Sequence, residues 1–276
     1  MAARRGAAPA GRAARAAPGA RGAAGQRRAG VGAHRPLNVR AGGRATVSGR
    51  AGGVPARSAD DRKDLLMNIG IIGAGNVGSV LARRLNELGH SVAIAASSTE
   101  SPRLASAAAA AGATATTAVK AASYGDVVIL AVPFTAMEAA LNSDVVGAVA
   151  GKTVVDVSNP LTEDLMALEI GHTTSAAEAV AGLLPEARVV KAFNTVLAPN
   201  HARPVLGGVR QSLPVAGDDP VAKRRVLDLG TELGFEAIDV GPLSTARYLE
   251  PVTGLLMQLG HRQALGGEIG FALARD

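Results

Sequence analysis

The fold is decided by the stretch Asn68-Ile69-Gly70-Ile71-Ile72-Gly73-Ala74-Gly75-Asn76-Val77-Gly78. An apolar run typical of a buried strand ends at Gly73, a G-x-G-x-x-G signature follows, and an amphipathic helix begins at once. In a dinucleotide-binding turn Gly73 permits the tight turn, Gly75 lets the backbone approach a pyrophosphate, and Gly78 lets the helix pack closely on the sheet. We therefore expect this turn and the first residues of the helix to bind a dinucleotide: Gly73, Ala74, Gly75, Asn76, Val77 and Gly78.

Apolar runs and helical segments alternate along the rest of the chain, which predicts an α/β fold with a Rossmann-type, doubly wound parallel sheet. Further strands are expected at Ser91–Ala96, Ala113–Thr116, Asp126–Val132, Lys152–Val157, Ala187–Phe193, Ser212–Ala216 and Glu236–Val240. From Leu243 onward the pattern is mostly helical. We predict a Rossmann domain over residues 65–205 and a smaller C-terminal region over residues 206–276, with ligands bound at the carboxyl ends of the strands.

The positive charge of the chain belongs to its first residues. Residues 1–64 hold thirteen Arg and one Lys against three Asp, so this segment is basic although the whole chain has a formal net charge of +6. The segment consists largely of Ala, Arg, Gly and Pro and has no apolar periodicity, which predicts a disordered tail. Three interpretations stay open: translation that begins at Met67, an organelle transit peptide, or a basic binding arm.

Composition also bears on the kind of partner. The tail has no aromatic residue to stack on bases, and the remainder of the chain is acidic, so we expect no nucleic-acid partner. The chain has no Cys, which excludes thiolate nucleophiles and zinc–thiolate sites, and no stretch is apolar enough to predict a membrane span. We expect no metal site. We expect the protein to be cytoplasmic, or to lie in an organelle if the tail is a transit peptide. The expected partner is a small-molecule redox acceptor.

The residues after the second strand bear on the choice of nucleotide. NAD-specific folds usually place Asp or Glu at the end of this strand, whereas this chain has Ser97, Ser98 and Thr99, with Arg103 close behind. Hydroxyls and a guanidinium suit the 2′-phosphate of NADP. Glu100 argues against NADP, because this acidic residue lies one position past the hydroxyl cluster. Alternatively, these residues form only an ordinary polar turn before a helix.

Few residues elsewhere suggest acid–base chemistry. Asp156 lies inside an apolar strand. It could act as a base, or it could be a buried carboxylate that is hydrogen-bonded to the backbone, and we favour the second interpretation. His90 follows a helix end and is expected to be solvated. A direct hydride transfer between two bound cofactors would need no acid, base or nucleophile, only the positioning of donor and acceptor.

Seven segments in order resemble the NADP oxidoreductases dependent on the deazaflavin coenzyme F420: Asn68–Gly89, Ala131–Phe134, Asp156–Pro160, Lys191–Thr195, Pro214–Asp219, Gly241–Leu243 and Ala246–Pro251. The resemblance covers essentially all of Met67–Asp276. It implies a Rossmann domain with a small C-terminal domain, a homodimer, and hydride exchange between NADPH and the deazaflavin.

The resemblance also implies roles for individual residues. The three glycines of the turn would hold the pyrophosphate, and Ser97 and Ser98 would face the 2′-phosphate. The nicotinamide end would be formed by Val132, Pro133 and Asn159. The deazaflavin pocket would be lined by Asn194, Val196, Pro251 and Thr253, of which Asn194 and Thr253 would position the reactants.

Other functions stay open at this stage. The same hydride could reduce a small imine, as in the similar N-terminal domain of pyrroline-5-carboxylate reductases, or a flavin or ferric chelate. A different class is a non-enzymatic NADP-binding sensor. A reductase needs a pocket opposite the nicotinamide, whereas a sensor could close that face with packed side chains.

Overall fold

The computed structural model describes residues 66–276, and the interpretations of residues 1–64 lie outside this range. Eight strands form one sheet and two short strands form a separate hairpin. The strands in chain order are β1 (Asn68–Ile72), β2 (Ser91–Ala95), β3 (Thr114–Thr116), β4 (Val127–Leu130), β5 (Thr153–Asp156), β6 (Arg188–Lys191), β7 (Val205–Leu206), β8 (Val209–Arg210), β9 (Ser212–Gly217) and β10 (Glu236–Asp239).

Helices connect these strands and cover both faces of the sheet. They are α1 (Asn76–Glu87), α2 (Pro102–Ala111), α3 (Ala118–Tyr124), α4 (Met137–Ala140), α5 (Ser143–Ala148), α6 (Ala176–Leu183), α7 (Pro220–Glu232) and α8 (Ala246–Met257). Short 3₁₀ turns lie at Phe134–Ala136, Ala198–Ala202 and Leu243–Thr245, and a π turn (Gln258–Arg262) continues α8.

The sheet order is β3-β2-β1-β4-β5-β6-β9-β10. Strands β1 to β6 are parallel to one another, which confirms the Rossmann-type prediction for this part. The prediction is wrong for β9, which pairs antiparallel to β6, and for β10, which follows the direction of β9. A parallel pair needs a long crossover, usually a helix, and the chain between β6 and β9 contains only a 3₁₀ turn and the β7–β8 hairpin.

Two layers of apolar side chains hold the helices on the sheet. On one face, α1, α2 and α7 contribute buried Leu81, Leu104 and Val226, and on the other, α4, α5 and α6 contribute Met137, Val145 and Val180. Strands covered on both faces explain why their sequences are continuous apolar runs. All described residues fall within one compact unit, and the predicted boundary at residue 205 lies between two strands of the same sheet.

Helix α7 begins where its sequence indicates, whereas the C-terminal helical segment ends before the end of the chain. Asp219 caps α7 by accepting the Ala222 N–H at 2.7 Å, as its position before Pro220 indicates. Helical structure runs from Leu243 to Arg262. Residues 263–276 form no helix, although a mostly helical pattern was predicted for the whole segment from Leu243 onward. They lie along the start of β9, where the Ser212 N–H donates to the Phe271 carbonyl at 2.9 Å.

His90 was expected to be solvated, but it is buried beneath α7. Its Nδ1 accepts the Met67 N–H at 3.3 Å, and its Nε2 lies 3.1 Å from Glu232 Oε2. The residue belongs to the amino-end edge of the sheet, because it directly precedes β2. It therefore plays no part in the site at the opposite edge.

His201 lies in the Ala198–Ala202 turn, where burial lowers its pKa to about 4. The folded protein therefore binds fewer protons than the unfolded chain between the unfolded pKa of 6.5 and pH 4. We expect the contribution of His201 to be complete above pH 6.5 and about 3 kcal/mol smaller at pH 4. Urea unfolding across this range should show a steeper loss for the wild type than for His201→Gln. Parallel curves would contradict this expectation.

Candidate functional site

The glycine turn after β1 has the geometry that its sequence predicts. Gly73 has a φ of +120°, and a Cβ there would lie 2.3 Å from the Ala131 carbonyl oxygen. A Cβ on Gly78 would lie 1.9 Å from the Gly73 carbonyl oxygen, so only glycine allows α1 this close to the sheet. A Cβ on Gly75 would meet no atom within 4 Å, so this position opens into free space. Such space beside a bare backbone suits a pyrophosphate.

The N-terminus of α1 supplies the electrostatics of the turn. Gly75 precedes the helix without any side-chain cap, and the first turn contains no acidic residue. The first N–H groups of an α-helix have no partner within the helix, and the helix dipole places partial positive charge beside them. Asn76 and Val77 line the adjoining cleft, so these donors are available to an anion there.

A cleft of about 910 Å³ follows the carboxyl ends of the parallel strands, from the glycine turn to α8. Of the described residues that line it, Arg103 alone carries a charge, and none is Asp, Glu, His, Lys or Tyr. The predicted site residues in the lining are Gly73, Ala74, Gly75, Asn76, Val77, Ser97, Arg103, Val132, Pro133, Asn159, Asn194, Val196 and Thr253.

Two of the residues expected at the charged end of the cleft, Ser98 and Thr99, do not line it. Ser97 and Arg103 line the cleft, whereas Ser98 lies outside it and its hydroxyl accepts the Glu100 N–H at 3.1 Å in a local turn. Ser101, which was not predicted, lines the cleft and makes no cap hydrogen bond with α2. Glu100 is outside the lining, so the main argument against a 2′-phosphate loses its force.

At the other end, three polar side chains from distant segments form one network. Asn194 Nδ2 donates to Asn159 Oδ1 at 3.0 Å and to the Leu249 carbonyl at 3.2 Å. The Thr253 hydroxyl donates to the Asn194 carbonyl at 2.7 Å. These bonds hold the Asn194 amide with its Oδ1 buried and without a partner among the described residues. An unpaired buried acceptor is costly, so a ligand that donates a hydrogen bond fits this position.

Pro251 does not reach the cleft, because it lies on the exposed side of α8. Tyr248 and Leu255, one turn to either side, are 74% and 59% exposed. An exposed apolar stripe of this kind often marks a contact surface. Thr253 occupies the buried side of the same helix, as residues two positions apart do not share a helix face.

Several residues of the cleft lining were not predicted from the sequence. Met257 lies one turn after Thr253 on α8, so helical spacing could have predicted it. Leu161 and Leu165 belong to the loop after β5, and Phe193, the last residue of the predicted strand Ala187–Phe193, has a φ of +63°. Only the folded chain brings these residues to the same cleft.

Directly behind the cleft, the ammonium group of Lys191 lies between two buried carboxylates. Its Nζ is 2.8 Å from Asp156 Oδ2 and 2.9 Å from Glu250 Oε1, and it donates to the Ser158 carbonyl at 2.5 Å. Asp156 Oδ1 accepts the Ser158 N–H at 2.9 Å, so the carboxylate is bonded to backbone, as the favoured interpretation predicts. Asp156 is absent from the cleft lining, which excludes direct contact with a ligand there.

The lining of the cleft suits the positioning of bound ligands. At one end the lining offers hydrogen-bond donors to a phosphate, and at the other it offers an amide that can orient a ligand. The walls between the two ends are apolar. Within residues 66–276 no group of three or more His, Asp or Glu could hold a metal ion. The helices of the same range include none that is long and apolar enough to cross a membrane.

Comparison with known proteins identifies the family. The model of the family "NADP oxidoreductase coenzyme F420-dependent" matches residues 68–160. The F420-dependent NADP reductase of Methanothermobacter thermautotrophicus is 31% identical over 221 residues, which cover 72% of this chain and 92% of that protein. The chain belongs to this family. Its members are NADP-dependent oxidoreductases, and the open Gly75 position and the lone Arg103 fit NADP.

Two further similarities broaden the comparison. A crystal structure of a putative F420-dependent NADP reductase from Arthrobacter has a TM-score of 0.69 and 29% identity, covering 76% of this chain and all of that one. The metalloreductase STEAP3 of Rattus norvegicus is 34% identical over 184 residues. That match covers 67% of this chain but only 36% of the metalloreductase. The match to the F420-dependent NADP reductase of Methanocaldococcus jannaschii covers 64% of that protein, so this chain spans only part of the length of both relatives.

Two glycine substitutions should separate cofactor binding from folding. Gly75→Val adds atoms only to free space, so we expect wild-type thermal stability and a loss of NADPH affinity of more than about a hundredfold. Gly78→Ala forces a contact with the Gly73 carbonyl and should lower the melting temperature strongly. Calorimetric titration and thermal melts measure both effects, with Gly147→Ala as a control in open space. Tight NADPH binding by Gly75→Val would contradict the assignment.

Arg103 should determine the preference for NADP(H). We expect Arg103→Gln to lower NADPH affinity about tenfold and to leave NADH affinity unchanged, because only NADPH carries the 2′-phosphate. Arg83→Gln is the matched control, since Arg83 is exposed on α1 and outside the cleft lining. An equal loss for both nucleotides would show that Arg103 acts on a part that they share.

Proposed function

We propose that this protein transfers a hydride between NADP(H) and the deazaflavin coenzyme F420. The observation that carries the proposal is the cleft itself, which runs from the glycine turn along apolar walls to the Asn194 amide and whose described lining includes no Asp, Glu, His, Lys or Tyr. When bound, NADPH supplies the hydride. The chain needs only to hold donor and acceptor in the right orientation, and such positioning can account for a large part of a rate enhancement.

The residues of the cleft divide this task between them. The α1 N-terminus and Arg103 would hold the phosphates, while Val132 and Pro133 would pack at the nicotinamide end. Asn194 would orient a donor group of either ligand through its free Oδ1, since Asn159 and Thr253 fix its amide and backbone. No single polar side chain among these is required to move a proton.

The alternatives have less support than the deazaflavin. Reduction of an imine and of a deazaflavin each takes up one proton besides the hydride, and since none of the described lining residues is a carboxylic acid, His, Lys or Tyr, the proton would come from water in both cases. What favours the deazaflavin over an imine is the family to which the chain belongs. A sensor domain would close the face beyond the nicotinamide, whereas Leu161, Thr253 and Met257 line an open end of the cleft. A flavin or ferric chelate is the second candidate, because the chain is 34% identical to STEAP3 over 184 residues.

Isotope transfer tests the proposal. The protein is incubated with coenzyme F420 and NADPH that carries deuterium at the transferable carbon, one diastereomer at a time, and the reduced deazaflavin is analysed by mass. We expect one deuterium in the product from one diastereomer and none from the other, with no transfer by Gly75→Val. Complete loss of deuterium to water would rule out direct transfer. Parallel reactions with FMN and with a ferric chelate test the second candidate.

A further inference from the structure

The loop between β5 and α6 carries an ordered turn at the open end of the cleft. The Leu165 N–H donates to the Thr162 carbonyl at 2.8 Å, which closes the turn. Asp164 Oδ1 accepts the Thr162 hydroxyl at 2.6 Å and the Met166 N–H at 3.0 Å. Leu161 and Leu168 form a bridge at the base. The turn therefore has a defined conformation that presents residue 165.

Leu165 adopts a backbone conformation that leucine disfavours. Its φ is +61°, in the left-handed region that glycine, Asn and Asp occupy far more readily. Its side chain is 42% exposed and lines the cleft, so burial in the core does not compensate for the strain. A bulky residue that keeps such a conformation at a binding cleft indicates a role for its side chain.

A second contact fixes the turn relative to α8. Gln258 Nε2 donates to the Met166 carbonyl at 2.6 Å. Gln258 is the first residue of the π turn and follows Met257, which lines the same cleft. This bond joins the turn that carries Leu165 to the helix that carries Thr253. Both sides of the open end are thus held together by one side-chain hydrogen bond.

We propose that Leu165 determines acceptor specificity by packing its side chain on the flat ring of the electron acceptor. This inference rests on the proposed function and adds to it a residue and the kind of ring that it selects. An exposed leucine gains by contact with an uncharged aromatic face, since the contact removes apolar surface of both partners from water. The apolar side chains of Leu161 and Met257, which line the same end, favour a flat aromatic ring over a small, strongly hydrated acceptor.

The same loop offers a matched control. His172 has a φ of +62°, is exposed, and lies outside the cleft lining. Glycine at either position relieves the same kind of backbone strain, but only position 165 lies at the cleft. A third variant, Leu165→Asn, keeps a residue that tolerates the left-handed region and removes the apolar side chain, which separates contact from loop flexibility.

The experiment measures the affinity of the full chain for oxidised coenzyme F420 by the fluorescence of the deazaflavin, with NADPH affinity measured in parallel. We expect Leu165→Gly and Leu165→Asn to weaken F420 binding about tenfold, with NADPH affinity unchanged and His172→Gly equal to the wild type. Wild-type F420 affinity in both Leu165 variants, or an equal loss in His172→Gly, overturns this inference and leaves hydride transfer standing. A wild type that neither binds nor reduces F420 overturns both.

Discussion

The ammonium group of Lys191 connects four parts of the fold at one point. It pairs with Asp156 on the neighbouring strand and with Glu250 on α8, and all three side chains are essentially unexposed. Glu250 also accepts the N–H groups of Ala176 and Ala177, so the same carboxylate caps the start of α6. Loss of one partner from a buried ion pair leaves an uncompensated charge and typically costs 3–5 kcal/mol. Because Lys191 also binds the Ser158 carbonyl, this cluster sets the backbone from which Asn159 reaches the cleft.

The parts of the fold that follow local rules could be predicted from the sequence. The tight turn at Gly73 and the close approach at Gly78 are demands of the backbone itself, so the glycine spacing is sufficient to predict them. The continuous apolar runs predicted strands buried on both faces, and the Asp219–Pro220 pair predicted a helix start. The cofactor end of the site is built from these local features, which is why most of its predicted residues line the cleft.

What the sequence could not predict depends on contacts between distant residues. The pairing of Lys191 with Glu250 joins residues 59 positions apart, and either side chain alone looks like an ordinary surface charge. The direction of β9 depends on a connection that lacks a crossover helix, and Ser98 is diverted by a turn with Glu100. Pro251 matched the family motif in sequence but lies on the outer side of its helix. Leu165 carries no sequence signal, since its strained backbone becomes visible only in three dimensions.

The two ends of the cleft come from different stretches of the chain. The glycine turn, Arg103 and Pro133 precede residue 160, where the match to the family model ends, whereas Asn194, Thr253 and Met257 follow it. The sequence of the second stretch can therefore change in evolution while the first stretch continues to bind the same nucleotide. The two stretches are nevertheless parts of one sheet, and the buried pair of Asp156 and Lys191 joins them directly.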